Sequence, residues 1–140
     1  PLLTVSLDTS VLVALYVKDA HTSLARTLLA RLGPIIVSDW AAAEFSTAIR
    51  LKVRQGILSP AMLDAVEAGF DEWLEQIGAR RPVLSEDHVS ARALVRRHAG
   101  LRAPDALHIA TAMRLDAGLA TFDARQAEVS RREGLTVIDT

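Results

Sequence analysis

The sequence predicts an α/β fold in which a short, mainly parallel central sheet is covered by helices on both sides. Short apolar runs alternate with longer segments of helical periodicity, in the order strand, helices, strand, helices, strand. The 140 residues contain no internal repeat and no linker. We therefore expect residues 1–140 to form one domain, with a ligand site at the carboxyl ends of the strands.

The predicted strands are short, largely apolar runs bounded by turn residues. The first, residues 3–7, ends directly at Asp8. The others are expected at residues 35–37, 82–84, 119–121 and 136–138. Runs of this kind are typical of strands that are buried on both faces of a parallel sheet.

The predicted helices begin and end at recognisable signals. Residues 10–17 are apolar on all sides, as a buried helix is. Ser38 or Asp39 caps a long helix that runs to about Gln55, and Ser85 caps a later one. The remaining helices are expected at residues 22–32, 60–77, 104–116 and 124–132.

The composition excludes several classes of protein. The chain has no cysteine, which excludes a disulfide framework, thiolate catalysis, iron–sulfur clusters and cysteine-bound zinc. This composition fits a reducing cytoplasm. No apolar run reaches the roughly 20 residues that a membrane span requires, so we expect no membrane association.

The charges are nearly balanced but unevenly placed. A net charge of −1 argues against a protein that coats nucleic acid by bulk charge. Six arginines lie between Arg80 and Arg102, against only two acids in the same segment. These arginines could form a face that contacts phosphate. The alternative is that they are ordinary solvated side chains on helix surfaces.

Four carboxylates stand out in the predicted fold. Asp8 follows the first strand directly, and Asp123 follows the strand at residues 119–121 after one intervening residue. Asp105 falls in the first turn of a helix, where the helix dipole stabilises a carboxylate. Glu44 lies on the apolar stripe of the long helix, where a carboxylate is costly unless another group pairs with it.

Each of these acids also has an ordinary structural interpretation. Asp8 and Asp123 could cap the helices that follow them. Asp105 could be an ordinary acid of a first helical turn, and Glu44 could pair with a buried arginine. The joint pattern favours a shared site, because three acids are expected at one edge of the sheet and the fourth lies on an apolar stripe.

A shared site needs a neutralising partner. Two carboxylates about 5 Å apart repel by about 3 kcal/mol at an effective dielectric constant of about 20. Four carboxylates form six such pairs, which is more repulsion than a domain with a stability of about 5–15 kcal/mol carries comfortably. Protons or divalent cations must therefore neutralise the cluster. Oxygen ligands without cysteine favour Mg²⁺ or Mn²⁺, as in metal-assisted phosphodiester hydrolysis.

Four motifs, taken in order, resemble those of one family. They are Leu7-Asp8-Thr9-Ser10, the segment from Val37 to Phe45, the segment from Leu101 to Ala110, and Leu119-Ala120-Thr121-Phe122-Asp123. With these motifs the chain resembles the PIN-domain ribonucleases, in particular the VapC-type toxins of type II toxin–antitoxin systems. The resemblance spans nearly the whole chain, and Arg-Ala-Pro-Asp-Ala at residues 102–106 is its most specific part.

The resemblance implies a PIN-like three-layer α/β/α sandwich and a metal-dependent endoribonuclease. It implies that Mg²⁺ or Mn²⁺ is bound by a catalytic quartet of acids, which are Asp8, Glu44, Asp105 and Asp123. Thr9 or Ser10, together with Thr121, would support this quartet by hydrogen bonds. The resemblance also implies an RNA substrate, a homodimer, a cognate antitoxin protein, and a cytoplasmic location in a bacterium or archaeon.

RNA would be positioned by cations outside the acid cluster. Arg102 is the foremost candidate because it lies beside Pro104 and Asp105. The other candidates are Arg50, Lys52, Arg80, Arg81, Arg96 and Arg97. An exposed arginine is more often only a solvated residue, which is the alternative for each of them.

Other residues and classes have weaker support. No two histidines have the spacing of a zinc pair. His108 lies one turn after Asp105 and could reach the site, but the favoured interpretation is a helix residue with a local hydrogen bond. Trp40 is expected in a core or an interface. A receiver-like Mg²⁺-binding domain would need a lysine after its last strand, but both lysines lie within the first 52 residues. A non-catalytic interaction module with the same fold is the remaining alternative.

Overall fold

Strands and helices alternate in the computed structural model, which describes residues 2–138. The strands are β1 (Val5–Leu7), β2 (Ile35–Ser38), β3 (Arg80–Arg81), β4 (Gly118–Ala120) and β5 (Val137–Ile138). The helices are α1 (Thr9–Tyr16), α2 (Thr22–Arg31), α3 (Asp39–Arg54), α4 (Pro60–Ile77), α5 (Ser85–Arg97), α6 (Ala103–Arg114) and α7 (Ala124–Arg132). None of the described helices is long and apolar enough to cross a membrane.

The five strands form one sheet in the order β3-β2-β1-β4-β5, and every neighbouring pair is parallel. β1 lies at the centre, and Leu7 of β1 is in register with Ala120 of β4. The residues that follow these two strands therefore emerge side by side. A receiver-like fold has the strand order 2-1-3-4-5, so the receiver-like alternative is wrong.

Helices pack on both faces of the sheet, which confirms the predicted three-layer α/β/α sandwich. Val5, Leu7 and Val37 pack in one core with residues of α1, α2, α3 and α4. Leu119 packs in a second core with residues of α5, α6 and α7. Every residue of β1 and β4 is buried, as the apolar runs predicted for strands covered on both faces.

The third strand was predicted at residues 82–84, and this prediction is wrong. The strand is Arg80–Arg81, which pairs with Val37 and Ser38 of β2. Pro82 has no N–H to donate to a ladder, so the strand ends before it.

The cap of α5 also differs from the prediction. Leu84, rather than Ser85, is the N-cap residue. The Asp87 carboxylate accepts a hydrogen bond of 2.9 Å from the Leu84 N–H, so a side chain inside the first turn supplies the cap. The predicted N-cap of α3 was Ser38 or Asp39. The structure shows Ser38 as the N-cap, and its hydroxyl accepts the N–H of Ala41 over 3.0 Å.

Candidate active site

Two of the acids lie at the carboxyl edge of the sheet, where β1 and β4 end next to each other. The Asp8 N–H donates to the Ala120 carbonyl over 3.1 Å, which extends the ladder to Asp8. The Asp8 carboxylate accepts the N–H of Val11 over 3.1 Å, and the Asp123 carboxylate accepts the N–H of Gln126 over 2.8 Å. Both acids are therefore helix N-caps as well as edge residues, and the cap interpretation of both is confirmed.

The other two acids come from helices. Glu44 lies in the second turn of α3, and Asp105 lies in the first turn of α6. The two helices are joined by Trp40, whose indole N–H donates to the Pro104 carbonyl over 3.3 Å. They are joined again by His108, whose Nε2 atom lies 2.5 Å from the Oε1 atom of Glu44.

His108 reaches the site, which was the less favoured of its two interpretations from the sequence. It was expected to make a local hydrogen bond, but its partner Glu44 lies 64 positions away in the chain. The side chain is only 5% exposed. The alternative in which Glu44 pairs with a buried arginine is also wrong, because its partners are His108 and Thr9.

Asp8 is held by three donors. Its Oδ1 atom accepts the Ser10 hydroxyl over 2.6 Å and the Val11 N–H, and its Oδ2 atom accepts the Thr121 hydroxyl. Burial raises the pKa of Asp8 above its ordinary value. The hydrogen bonds from Ser10 and Thr121 and the charge of His108 oppose the increase without cancelling it.

Glu44 is held through one oxygen only. Its Oε1 atom accepts the Thr9 hydroxyl over 2.8 Å and also contacts His108. Burial acts to raise the pKa of Glu44, but the hydrogen bond and charge of His108, with Thr9 and Arg102, outweigh it and lower the pKa. Because an ionised carboxylate only accepts, His108 donates to it through Nε2.

Asp105 lies close enough to Asp123 for the two carboxylates to repel. Burial first, and then the charge of Asp123, raise the pKa of Asp105. Arg102 opposes the increase through its charge and through a long hydrogen bond of 3.4 Å from Nε to Asp105 Oδ2. The charge of His108 acts in the same direction as that of Arg102.

These interactions connect all four acids. The charge of His108 acts on Asp8, Glu44 and Asp105, and Asp123 acts on Asp105. Hydrogen bonds from His108 to Glu44, and from Gln126 and Thr121 to the residues around Asp105, Asp123 and Asp8, join the same elements, and we call these four acids the acid cluster. Thr9, Ser10 and Thr121 each donate a hydrogen bond to one of these carboxylates.

The donor chemistry of the cluster fits a hard divalent cation. Glu44, Asp105 and Asp123 each have one oxygen that accepts a hydrogen bond and a second oxygen that accepts none from the described residues. Carboxylate oxygens of this kind are the ligands that Mg²⁺ and Mn²⁺ favour. As placed, no three histidine or acidic side chains among residues 2–138 converge closely enough to hold a metal ion.

Arg102 is the one predicted RNA-contacting residue that the structure places against an acid of the cluster. Its side chain is 76% exposed and pairs with Asp105. Arg97 lies elsewhere, since it pairs with Glu133, ten residues or about 15 Å along α7 from Asp123. The other candidates do not contact the cluster. Arg50 pairs with Glu67 and Arg80 pairs with Asp39, while Arg81 donates to the Gly78 and Arg80 carbonyls. Lys52 is half-buried and Arg96 is exposed.

Gln126 is a second residue of the cluster that the sequence analysis did not single out. It is 1% exposed and lies between Thr121 and the Asp105 carbonyl. The signal that could have found it is the spacing Asp123-x-x-Gln126, which is the pattern of a capping box.

Comparison with known proteins identifies the family and agrees with the fold. The family model of the PIN domain matches residues 5–132. The chain belongs to the PIN domain family. No curated protein matches this PIN domain by sequence.

Solved structures share the fold of this PIN domain. VapC20 of Mycobacterium tuberculosis, described as a sarcin-ricin loop cleaving toxin, is 20% identical with a TM-score of 0.72, over 97% of this chain and 99% of that one. FitAcB of Neisseria gonorrhoeae is 19% identical with a TM-score of 0.68, over 96% of both chains. VapBC2 of Rickettsia felis, bound to a DNA fragment from its promoter, is 15% identical with a TM-score of 0.69, over 98% of both chains.

Proposed function

We propose that this PIN domain is a Mg²⁺- or Mn²⁺-dependent endoribonuclease and the toxin of a VapC-type toxin–antitoxin pair. The observation that carries the proposal is that hydrogen bonds link the elements bearing the four carboxylates. His108 of α6 contacts Glu44 of α3, and Gln126 contacts Asp123, the Asp105 carbonyl and, through the Thr121 hydroxyl, Asp8. The PIN domain match and the shared fold with VapC20 support the same function.

Asp8, Asp105 and Asp123 are the residues that would hold the cation, and Glu44 would complete the set. A divalent cation bound there would polarise the scissile phosphate and lower the pKa of a bound water. Asp105 and Asp123 repel each other in the absence of a cation. A divalent cation held by these acids would offset this repulsion.

The chain's own residues have distinct tasks in hydrolysis. Glu44 is kept ionised by His108 and Thr9, and its second oxygen can orient an attacking water or accept a proton from it. Arg102 lies at the edge of the cluster with an exposed guanidinium that can bind a phosphate of the RNA backbone. The expected products carry 5′-phosphate and 3′-hydroxyl ends.

The remaining parts of the proposal concern partners. The fold is shared with VapC20, VapBC2 and FitAcB, and this likeness supports a cognate antitoxin that binds the toxin and blocks its site. We further propose a homodimer as the working unit and a cytoplasmic location in a bacterium or archaeon. Arg50, Lys52, Arg80, Arg81, Arg96 and Arg97 do not contact the acid cluster. We propose that they contact RNA only where the bound strand extends beyond the cluster.

Cleavage of a labelled total-RNA pool tests the nuclease directly. Purified protein, shown to be free of any bound antitoxin, is incubated with Mg²⁺, with Mn²⁺ and with chelator. Asp105→Asn is the test variant, and Asp64→Asn, which changes an exposed acid on α4, is the matched control. We expect metal-dependent cuts in the wild-type protein and in Asp64→Asn, and none in Asp105→Asn.

The position of the new 5′ ends then identifies the RNA that is cut. Cleavage that survives in chelator, or that Asp105→Asn retains, would show that the carboxylate cluster is not the catalytic site. No cleavage of any RNA by the wild-type protein would favour the non-catalytic interaction module.

A further inference from the structure

Gln126 bridges two elements that carry acids of the cluster. Its Oε1 atom lies 3.0 Å from the Thr121 hydroxyl, at the end of β4, and its Nε2 atom donates to the Asp105 carbonyl over 3.1 Å, at the start of α6. The Gln126 backbone N–H donates to the Asp123 carboxylate over 2.8 Å. The Thr121 hydroxyl also lies against the Asp8 carboxylate. One side chain with its own N–H therefore contacts Asp105 and Asp123 directly and reaches Asp8 through one hydroxyl.

The side chain of Gln126 is diverted from its usual local role. In a capping box, a glutamine at this position reaches back to the N–H of the N-cap residue, here Asp123. The Asp123 N–H instead donates to the Thr121 hydroxyl over 3.0 Å. The side-chain amide of Gln126 therefore bonds the Asp105 carbonyl at the start of α6 instead, and the N-cap of α7 does not account for the orientation of this side chain.

The bridge depends on an amide in particular. A buried amide offers one acceptor and one donor group. The acceptor of Gln126 faces the Thr121 hydroxyl, whose single proton is available to either Gln126 or Asp8, and its donor bonds the Asp105 carbonyl. An apolar side chain of the same shape would leave the Thr121 hydroxyl with fewer partners and the Asp105 carbonyl without this donor. The backbone of Asp105 would then be free to shift relative to Asp8 and Asp123.

We propose that Gln126 is a positioning residue that sets the spacing of Asp8, Asp105 and Asp123 and thereby the affinity of the site for a divalent cation. The inference rests on the proposed function, because it takes these carboxylates as cation ligands. Gln126 acts through them and does not bind the cation itself. Groups that orient metal ligands in this way typically change metal affinity by about 10- to 100-fold when they are removed.

The test compares Mn²⁺ affinity in two variants of α7. Gln126→Met keeps the length of the side chain but removes both side-chain hydrogen bonds. Ser130→Ala is the matched control, since Ser130 is also fully buried on α7, but its hydroxyl bonds only the Gln126 carbonyl within the same helix. We expect Gln126→Met to weaken Mn²⁺ binding by about 10- to 100-fold in calorimetric titration, and Ser130→Ala to bind Mn²⁺ like the wild type.

Thermal unfolding in chelator separates this effect from lost stability, because both variants remove a buried hydrogen bond. A Gln126→Met protein with wild-type Mn²⁺ affinity would overturn the inference. Absence of Mn²⁺ binding by the wild-type protein would overturn the proposed function, and the inference with it, so the two failures are distinguishable.

A second measurement needs no variant. The chain has three glutamines, Gln55, Gln76 and Gln126, and no asparagine, so a ¹⁵N correlation spectrum holds only three side-chain amide pairs. The buried pair of Gln126 is identified by slow exchange with solvent. We expect Mg²⁺ to shift this pair and to leave those of Gln55 and Gln76 in place. Shifts at the backbone amides of Val11 and Ala106, next to the acids, without a shift of the Gln126 pair would overturn the inference.

Discussion

The imidazole of His108 contacts the carboxylate of Glu44 over 2.5 Å and joins α6 to α3 inside the acid cluster. Thr9 donates to the same oxygen, Oε1, over 2.8 Å. Two donors from α1 and α6 therefore fix one oxygen of Glu44, and the other oxygen stays available for a ligand. The orientation of Glu44 is set by these two contacts together.

A double-mutant cycle tests this shared orientation. Thr9→Val and His108→Leu should each lower the free energy of unfolding by about 1–3 kcal/mol, because each removes a hydrogen bond to a carboxylate. Since both donors act on Oε1, their effects should be coupled by about 0.5–3 kcal/mol. Urea unfolding at pH 7 in chelator measures both quantities. Thr27→Val, on the exposed face of α2, should be neutral, and strictly additive effects would contradict the shared role.

Neutralising two acids of the cluster should have opposite effects on stability. Asp105→Asn removes a carboxylate whose pKa is raised by burial and by Asp123, so it should raise the melting temperature at pH 7 in chelator. Glu44→Gln removes a carboxylate whose pKa is lowered by His108, so it should lower the melting temperature. A change of about 1 kcal/mol corresponds to about 2–5 °C for a chain of this size.

The pH dependence gives the sign of the Asp105→Asn effect. The wild-type penalty is complete above the raised pKa of folded Asp105, because the carboxylate is then ionised in both the folded and the unfolded chain. It should shrink as the pH falls through that raised pKa and vanish only below the ordinary value of 3.8, where both states are protonated and the difference from Asp105→Asn no longer depends on pH. Shifts of both variants in the same direction at pH 7 would show that the acids are not in the environments described.

The ion pair between Arg114 and Asp87 should matter more than those on the surface. Asp87 is 2% exposed, and Arg114 donates to it over 2.7 Å and to the Pro82 carbonyl over 3.0 Å. Arg114→Met leaves a buried carboxylate without its cation, which typically costs about 3–5 kcal/mol. Arg132→Met, which breaks an exposed pair with Glu128, should cost about 0–1 kcal/mol. Equal losses in urea unfolding would refute the distinction.

Glu133 should give part of the stability a dependence on pH. The hydrogen bond from Arg97, and then that of His98, lower the pKa of Glu133 against the opposing effect of burial. Its contribution is therefore fully present above the unfolded pKa, near the ordinary value of 4.5, and is lost as the pH falls through the lowered folded pKa. The melting temperatures of wild type and Glu133→Gln should differ at pH 7 and converge at acid pH. Arg97→Gln should show the same convergence, and a difference independent of pH would disprove this account.

Most of the fold could be predicted because local signals determine it. Apolar runs identified four of the five strands, and the cap positions of Asp8 and Asp123 follow from side chains that bond within three residues. The position of β3 could not be read in this way. Its residues, Arg80 and Arg81, are polar, and only pairing with β2 makes them a strand.

The candidate site shows the same division. The four acids could be singled out because strand ends and helix starts place them at one edge of the sheet. The partners of His108 and Gln126 could not be predicted, because they lie on other elements, 64 positions away for His108 and 21 for Gln126. Periodicity reports which face a residue occupies, and it carries no information about which distant residue faces it.

The central position of β1 has a consequence for protein synthesis. Asp8 meets its partner Thr121 only after 113 further residues have been added. At about 5–20 residues per second, the ribosome needs about 6–23 s for this stretch. During that time Asp8 and Glu44 are present on the growing chain without β4 or Asp123 beside them. The acid cluster therefore forms only after residue 123 has been added, and a chain that is cut short before that residue lacks it altogether.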